Sequence, residues 1–283
     1  MGRITVRRPV TRVTLGGEGI SASRQPDLLI AEEPLEIRLN GAPLTVTMRT
    51  PGDDVHLAHG FLLSEGVISD SEDVSTARYC AGAVVADETG MPQNTYNVLD
   101  VQLAPDVPAP AVDPTRNFYT SSSCGVCGKA SIDAIEQQVR WPVADDPVVL
   151  DPQVLVGLPD ALREHQSAFD RTGGLHAAGL FTAAGELLRA AEDVGRHNAV
   201  DKVLGWALLQ GLLPARGLVL VLSGRVGFDL TQKALMAGVP AVVAVSAPSS
   251  LAVEMAASAG MTLLGFTRTP SFNVYAGAER LGL

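Results

Sequence analysis

Gly217-Leu-Val-Leu-Val-Leu222, Ala241-Val-Val-Ala-Val-Ser246 and Thr262-Leu-Leu-Gly-Phe266 are three nearly continuous apolar runs, and Phe228 to Ala237 and Ser249 to Ala259 lie between them with helical spacing. Short runs rich in β-branched residues, joined by helices, predict parallel strands covered on both faces. The last third of the chain therefore reads as an α/β core. Just upstream, Gly174 to Phe181 and Glu186 to Glu192 flank Ala184-Gly185 as an expected hairpin, and Gly195 to Gln210 reads as a long helix.

Further upstream the pattern weakens. Pro159 to Asp170 and Ser131 to Val139 read as helices, with Pro142 to Pro152 interrupting them. Tyr96 to Leu103 and Val84-Val85 read as strands, and the proline- and alanine-rich Ala104 to Pro114 as a connection. Val55, Leu57, Ala58, Phe61 and Leu62 recur at helical spacing after Thr50-Pro-Gly-Asp-Asp54, whose side chains offer capping oxygens. From Leu28 to Met48, two alternating runs flank Asn40-Gly41, which tolerates the positive φ angles of a tight turn. The expected division is a β-rich subdomain over residues 1–115 and an α/β core over residues 116–283.

The chain has 283 residues and a net charge of −10, which argues against general affinity for nucleic acid while leaving room for local anion sites. Its longest apolar run is too short to cross a bilayer, and the first residues lack the apolar stretch of a secretory signal. Three cysteines do not make a disulfide framework, so a reducing cytoplasm is expected.

Two of those cysteines lie in Ser121-Ser-Ser-Cys-Gly-Val-Cys-Gly-Lys129. Small residues on both sides give sulfur mobility and access, and a helix starting near Lys129 would favour the thiolate through its dipole and the ammonium group. Sulfur-centred chemistry is the leading reading, with a metal clip or a disulfide as the plainer alternatives. Cys80 is read as structural.

Three segments suit anions. Gly195-Arg196-His197-Asn198 opens a helix, where free N–H groups and two basic side chains can converge on a phosphate. The plainer reading is that Asp193 or Asn198 caps the helix and Arg196 pairs with an acid. Ser223-Gly224-Arg225 follows a predicted parallel strand, the edge at which ligands of open α/β sheets bind, and Lys233 is a candidate extension of that site. Phe266-Thr267-Arg268 and the continuation Thr269-Pro270-Ser271 follow the last core strand at the same edge. Phe266 suits stacking, or the core, and Arg268 a phosphate contact.

The cysteine segment, Thr172-Gly-Gly-Leu-His-Ala177, Glu192-Asp-Val-Gly-Arg-His-Asn-Ala-Val-Asp-Lys202, Ser223-Gly-Arg-Val-Gly-Phe-Asp229 and Gly265-Phe-Thr-Arg268 together resemble the FdhD family of formate dehydrogenase accessory sulfurtransferases. The resemblance implies a cytidine deaminase-like α/β core. It implies Cys124 as a persulfide carrier, with Cys127 assisting or resolving, and sulfur delivery to a molybdenum or tungsten cofactor with two pterin guanine dinucleotides. It further implies contact of Phe266 to Ser271 with the guanine dinucleotide part, a cysteine desulfurase as donor and formate dehydrogenase as recipient. A homodimer is expected, and no tightly bound zinc.

A zinc-dependent nucleobase deaminase is the competing enzyme class. Its His-x-Glu motif precedes its cysteine pair, whereas here His176 follows the cysteines and Ala178 stands where the catalytic glutamate would be. A zinc-stabilised binding scaffold would need a fourth ligand beyond Cys124, Cys127 and one histidine, and Cys80 is the candidate.

Overall fold

A computed structural model describes residues 4–16, 19–80, 84–86, 92–94, 96–108 and 139–283. In chain order its first half contains β1 (Thr5–Gly16), β2 (Gly19–Ile30), β3 (Glu33–Leu39), β4 (Ala42–Arg49), α1 (Asp54–Ser64), β5 (Val74–Tyr79), β6 (Val84–Ala86), β7 (Pro92–Asn94) and β8 (Val98–Leu103). There follow α2 (Pro152–Arg163), α3 (Ser167–Thr172), β9 (His176–Thr182), β10 (Leu187–Asp193), α4 (Arg196–Leu209) and β11 (Leu218–Leu222). The chain ends with α5 (Phe228–Met236), β12 (Ala241–Ala244), α6 (Ser250–Ser258), β13 (Thr262–Arg268) and β14 (Ser271–Ala276).

The central sheet has the order β10-β9-β11-β12-β13-β14. Its middle strands β11, β12 and β13 are parallel, as their apolar runs predict, while β9 pairs antiparallel with β11 and β14 antiparallel with β13. Alternate residues leave opposite faces of each strand. Val219, Val221, Val243 and Leu264 share an apolar cluster with Leu155, Leu158 and Leu162 of α2. Leu220, Leu222, Val242 and Leu263 join a second cluster with Val203 of α4, Leu235 of α5 and Met255 of α6. Stepping one strand at a time, right-handed crossovers leave α5 and α6 on one face, and α2 covers the other.

The N-terminal sheet has the order β4-β3-β8-β5, and Asn40 and Gly41 close the β3–β4 hairpin with φ of 52° and 81°. Its inner residues Leu35, Ile37, Leu99 and Val101 belong to the same cluster as α4 and α5, with Leu57 and Leu62 of α1 between. One apolar core thus runs from the small sheet to the large one. The expected boundary at residues 115 and 116 lies outside the described residues, as does the helix read over Ser131 to Val139 apart from Val139 itself, which is not helical.

Helices α1 and α4 cross at two glycines. A Cβ on Gly205 would lie 1.9 Å from the His56 carbonyl oxygen, and one on Gly60 would lie 2.0 Å from the Asp201 carbonyl oxygen. At this crossing backbone meets backbone.

Four local expectations are corrected. Residues 159–170 are not one helix: α2 begins at Pro152, where Asp151 accepts the Gln153 N–H at 2.8 Å, and it carries Pro159 inside it before α3 starts at Ser167. Asp-Pro is here a start signal, because proline at the first helical position lacks only an N–H that would be unpaired anyway. No side chain caps α1; Asp53 sits in the left-handed region and pairs with Arg189, while Asp54 takes two bonds of 3.0 Å from the buried Arg49 guanidinium. Strand β13 runs on through Thr267 and Arg268 past its expected end at Phe266, because β14 returns beside them. The β1–β2 ribbon and β5 carry no core-like pattern and were not expected.

Candidate functional site

Because β11, β12 and β13 are parallel, their carboxyl ends lie along one edge, where Ser223 to Arg225, residues 245–248 and Phe266 to Arg268 emerge. Because β9 is antiparallel to β11, its first residue, His176, lies at that edge too, opposite Asp193 at the end of β10. The start of α4 follows within three residues. The topology therefore gathers Arg196, His197, Ser223, Gly224 and Arg225 at one end of the sheet, and adds His176.

Ser223 is locked in place: its N–H donates to the Ala177 carbonyl at 3.0 Å and its Oγ accepts the Ala177 N–H at 2.8 Å. Gly224 passes so near the histidine that a Cβ there would lie 3.2 Å from His176 Nδ1. Burial pushes the His176 pKa down, and the charges of Arg196, His197 and Arg225 push it further the same way. Charging of this imidazole is thus disfavoured beside the guanidinium groups of Arg196 and Arg225. Arg196 Nε is buried without a hydrogen-bond partner, and Arg196 forms no ion pair among the described residues. His197 Nε2 lies 3.5 Å from the Asp229 carboxylate, and this contact holds the Asp229 pKa below its usual range.

The Glu192 to Lys202 segment divides its labour. Asp193 is fully buried and its carboxylate receives the Thr50 N–H at 3.1 Å, the Gly195 N–H at 2.8 Å, Asn198 Nδ2 at 3.0 Å and Lys202 Nζ at 2.7 Å. Asn198 also donates to the Met48 carbonyl at 2.8 Å, and Lys202 to the Thr50 carbonyl at 2.9 Å. These residues pin the start of α4 to the end of β4. No side chain caps α4, and Arg196 and His197 remain at the edge. Lys233 is corrected from the anion site to the interior: it is buried and pairs with Asp201 at 2.7 Å.

Lys202→Met removes the counter-ion of a fully buried carboxylate while three of its hydrogen bonds remain. The expected loss is about 3 kcal/mol of stability, the low end for breaking a buried pair. Urea titration checks it, with Lys202→Arg as the milder comparison.

At the far end of the edge, Phe266 is 46% exposed with φ of 52°, and its N–H donates to the Ser246 carbonyl at 3.2 Å. The β13–β14 register shifts between Gly265 and Arg268, which turns Phe266 outward while Thr267 is buried with an unpartnered Oγ1. Arg268 pairs in register with Ser271 across Thr269-Pro270, and both are exposed. Thr269 Oγ1 donates to Asp160 at 3.4 Å. Strand β12 separates this group from Ser223 to Arg225, about 10 Å at two strand spacings.

Cys124 and Cys127 lie outside the described residues. Among those residues Cys80 is a free cysteine, and no cluster of three or more His, Cys, Asp or Glu side chains has metal-binding geometry. Ala178 is fully buried in β9. His176 is the edge residue that the sequence reading weighed only as a metal ligand; its place at the start of a strand that pairs antiparallel with β11 is a tertiary fact without a local signature.

Residues 30–282 match the model of the FdhD/NarQ family. A Streptomyces coelicolor protein named sulfur carrier protein FdhD is 58% identical over 284 residues, covering 100% of this chain and 98% of its own. A Mycobacterium tuberculosis protein of the same name is 53% identical over 281 residues, covering 99% and 100%. In three dimensions the chain is similar to a crystal structure from Desulfotalea psychrophila described as a formate dehydrogenase accessory protein, with a TM-score of 0.71, 24% identity and coverage of 97% and 99%. At that identity the likeness is one of fold.

Proposed function

The chain belongs to the FdhD/NarQ family, and from that premise we propose that it is a sulfur carrier serving formate dehydrogenase. The observation that carries the reading is near-complete alignment, at 53 to 58% identity, with relatives named sulfur carrier protein. In this reading the Cys124 thiolate attacks the outer sulfur of a persulfide on a cysteine desulfurase, and the donor leaves as its thiolate. The Cys127 thiolate then attacks the Cys124 sulfur, a Cys124–Cys127 disulfide forms as the persulfide bond breaks, and the outer sulfur leaves at the sulfide level for the metal of the bis-pterin guanine dinucleotide cofactor, the substrate. A thiolate that is accessible and easily formed suits both steps.

The sheet edge suits the other half of such a substrate. Arg196, His197, Arg225 and Arg268 offer positive charge to its phosphates, the exposed Phe266 ring offers a stacking face, and Thr267, Thr269, Pro270 and Ser271 shape the hairpin beside it. We read the core as deaminase-like, from the β9–β10 hairpin beside three parallel strands with helices on both faces, preceded by the β-rich subdomain. The protein acts in the cytoplasm as a homodimer, and zinc has no part in the chemistry.

Titration calorimetry tests the edge. Guanosine diphosphate is expected to bind more tightly than adenosine diphosphate, and Arg268→Ala to weaken it by about ten- to a hundred-fold, the loss of one guanidinium–phosphate contact of roughly 1.5 to 3 kcal/mol. Equal binding of both nucleotides would remove guanine recognition from the account.

A further inference from the structure

Among the described residues the β1–β2 ribbon belongs to neither main sheet: its strands pair there only with each other, over twelve residues each. At about 3.3 Å per residue it is roughly 40 Å long. Its ladder runs one pair past the strands, where Ile4 accepts the Ala31 N–H at 2.8 Å, and its base meets the body where Arg171 lies 3.5 Å from Thr5 Oγ1. Beyond that base almost every residue is exposed. A lone two-stranded ribbon is only marginally stable in water, and among the described residues neither of its edges pairs with a further strand.

The register sorts its side chains. Leu15 faces Ile20, Val13 faces Ala22, Thr11 faces Arg24 and Arg7 faces Leu28, all on one side of the ribbon. Leu15 and Ile20 are 77% and 76% exposed and Val13 is 57% exposed, so one face presents an apolar tip followed by two arginines. The ribbon carries four arginines, Arg7, Arg8, Arg12 and Arg24, against Glu18 and Asp27, in a chain of net charge −10. The acidic excess therefore lies wholly in the rest of the molecule.

We propose that the ribbon docks on a second copy of this chain, its Val13–Leu15–Ile20 tip and Arg7 and Arg24 lying against the acidic body of the partner, each copy reciprocating. Charge complementarity selects this occupant, since a basic ribbon and an acidic body come from the same sequence. Reciprocal exchange also makes the contact isologous and closed, as two-fold dimers require. The proposal rests on the homodimer of the proposed function and names the surface that forms it; persulfide loading does not depend on it.

Sedimentation of the full chain tests this. Wild type is expected at twice the chain mass, with the dimer weakening as salt rises. Leu15→Asp/Ile20→Asp is expected to raise the dimer dissociation constant about tenfold or more, and Arg7→Glu/Arg24→Glu to do the same while leaving the urea midpoint of the core unchanged. A dimer unaffected by both double variants overturns the ribbon and leaves the homodimer standing. A monomeric wild type overturns both, while sulfur loading of that monomer would leave the carrier reading intact.

Discussion

Gly205→Ala is expected to abolish cooperative folding. The added methyl would lie 1.9 Å from the His56 carbonyl oxygen and 2.6 Å from the Gly60 nitrogen, both backbone atoms of α1. No rotamer relieves such a clash, so α1 and α4 have to separate by more than about 1 Å, and a packed interior resists that. The crossing also holds the Asp201–Lys233 pair, which joins α4 to α5, and Ser64 Oγ of α1 lies 3.2 Å from the same carboxylate. Alanine's advantage over glycine in a helix, about 1 kcal/mol, is outweighed by a loss above roughly 4 kcal/mol, set against a total stability of about 5 to 15. Gly157→Ala is the control. A Cβ there meets nothing within 4 Å, so the same substitution in α2 is expected to stabilise by about 0.5 to 1 kcal/mol. Urea titration of both variants reads the contrast, and a Gly205→Ala protein as stable as wild type would contradict the backbone crossing.

Cys124→Ala is expected to eliminate formate dehydrogenase activation altogether while the urea midpoint stays at its wild-type value. A persulfide needs a sulfur to form on, and alanine offers none at this position. Cys127→Ala is expected to keep sulfur loading and to lose delivery, and Cys80→Ala to change neither. An activation assay with purified desulfurase and apo-dehydrogenase separates the three. Full activation by the Cys124 variant would move the carrier role elsewhere.

Much of this was legible where local pattern and tertiary role coincide. The β11, β12 and β13 runs are apolar throughout because both of their faces are covered, and Asn40-Gly41 turns because its backbone needs positive φ. Once parallel strands are read, their carboxyl ends follow, and with them the shared edge of Ser223 to Arg225 and Phe266 to Arg268. The ribbon was not legible because Leu15 and Ile20 face solvent in the isolated chain, so no core face marks their strands. Lys233 was misjudged because its partner Asp201 lies 32 residues away; the role of Asp193 stayed open because, although Gly195, Asn198 and Lys202 are near it in sequence, the Thr50 N–H that ties it to the end of β4 is 143 residues away. Burial of a charge depends on such partners, and no window of sequence contains them. Strand β14 was not expected; Thr269-Pro270 is the two-residue turn that brings it back beside β13.

The most direct test of the carrier reading is mass spectrometry of the tryptic peptide from Asn117 to Lys129, which contains both Cys124 and Cys127. After incubation with a cysteine desulfurase and cysteine, the peptide is expected to gain about 32 Da, one sulfur atom, with fragment ions placing it on Cys124 and thiol reductant removing it. A peptide that gains no mass under conditions where the desulfurase itself carries persulfide would contradict the account, as would sulfur found on Cys80 instead.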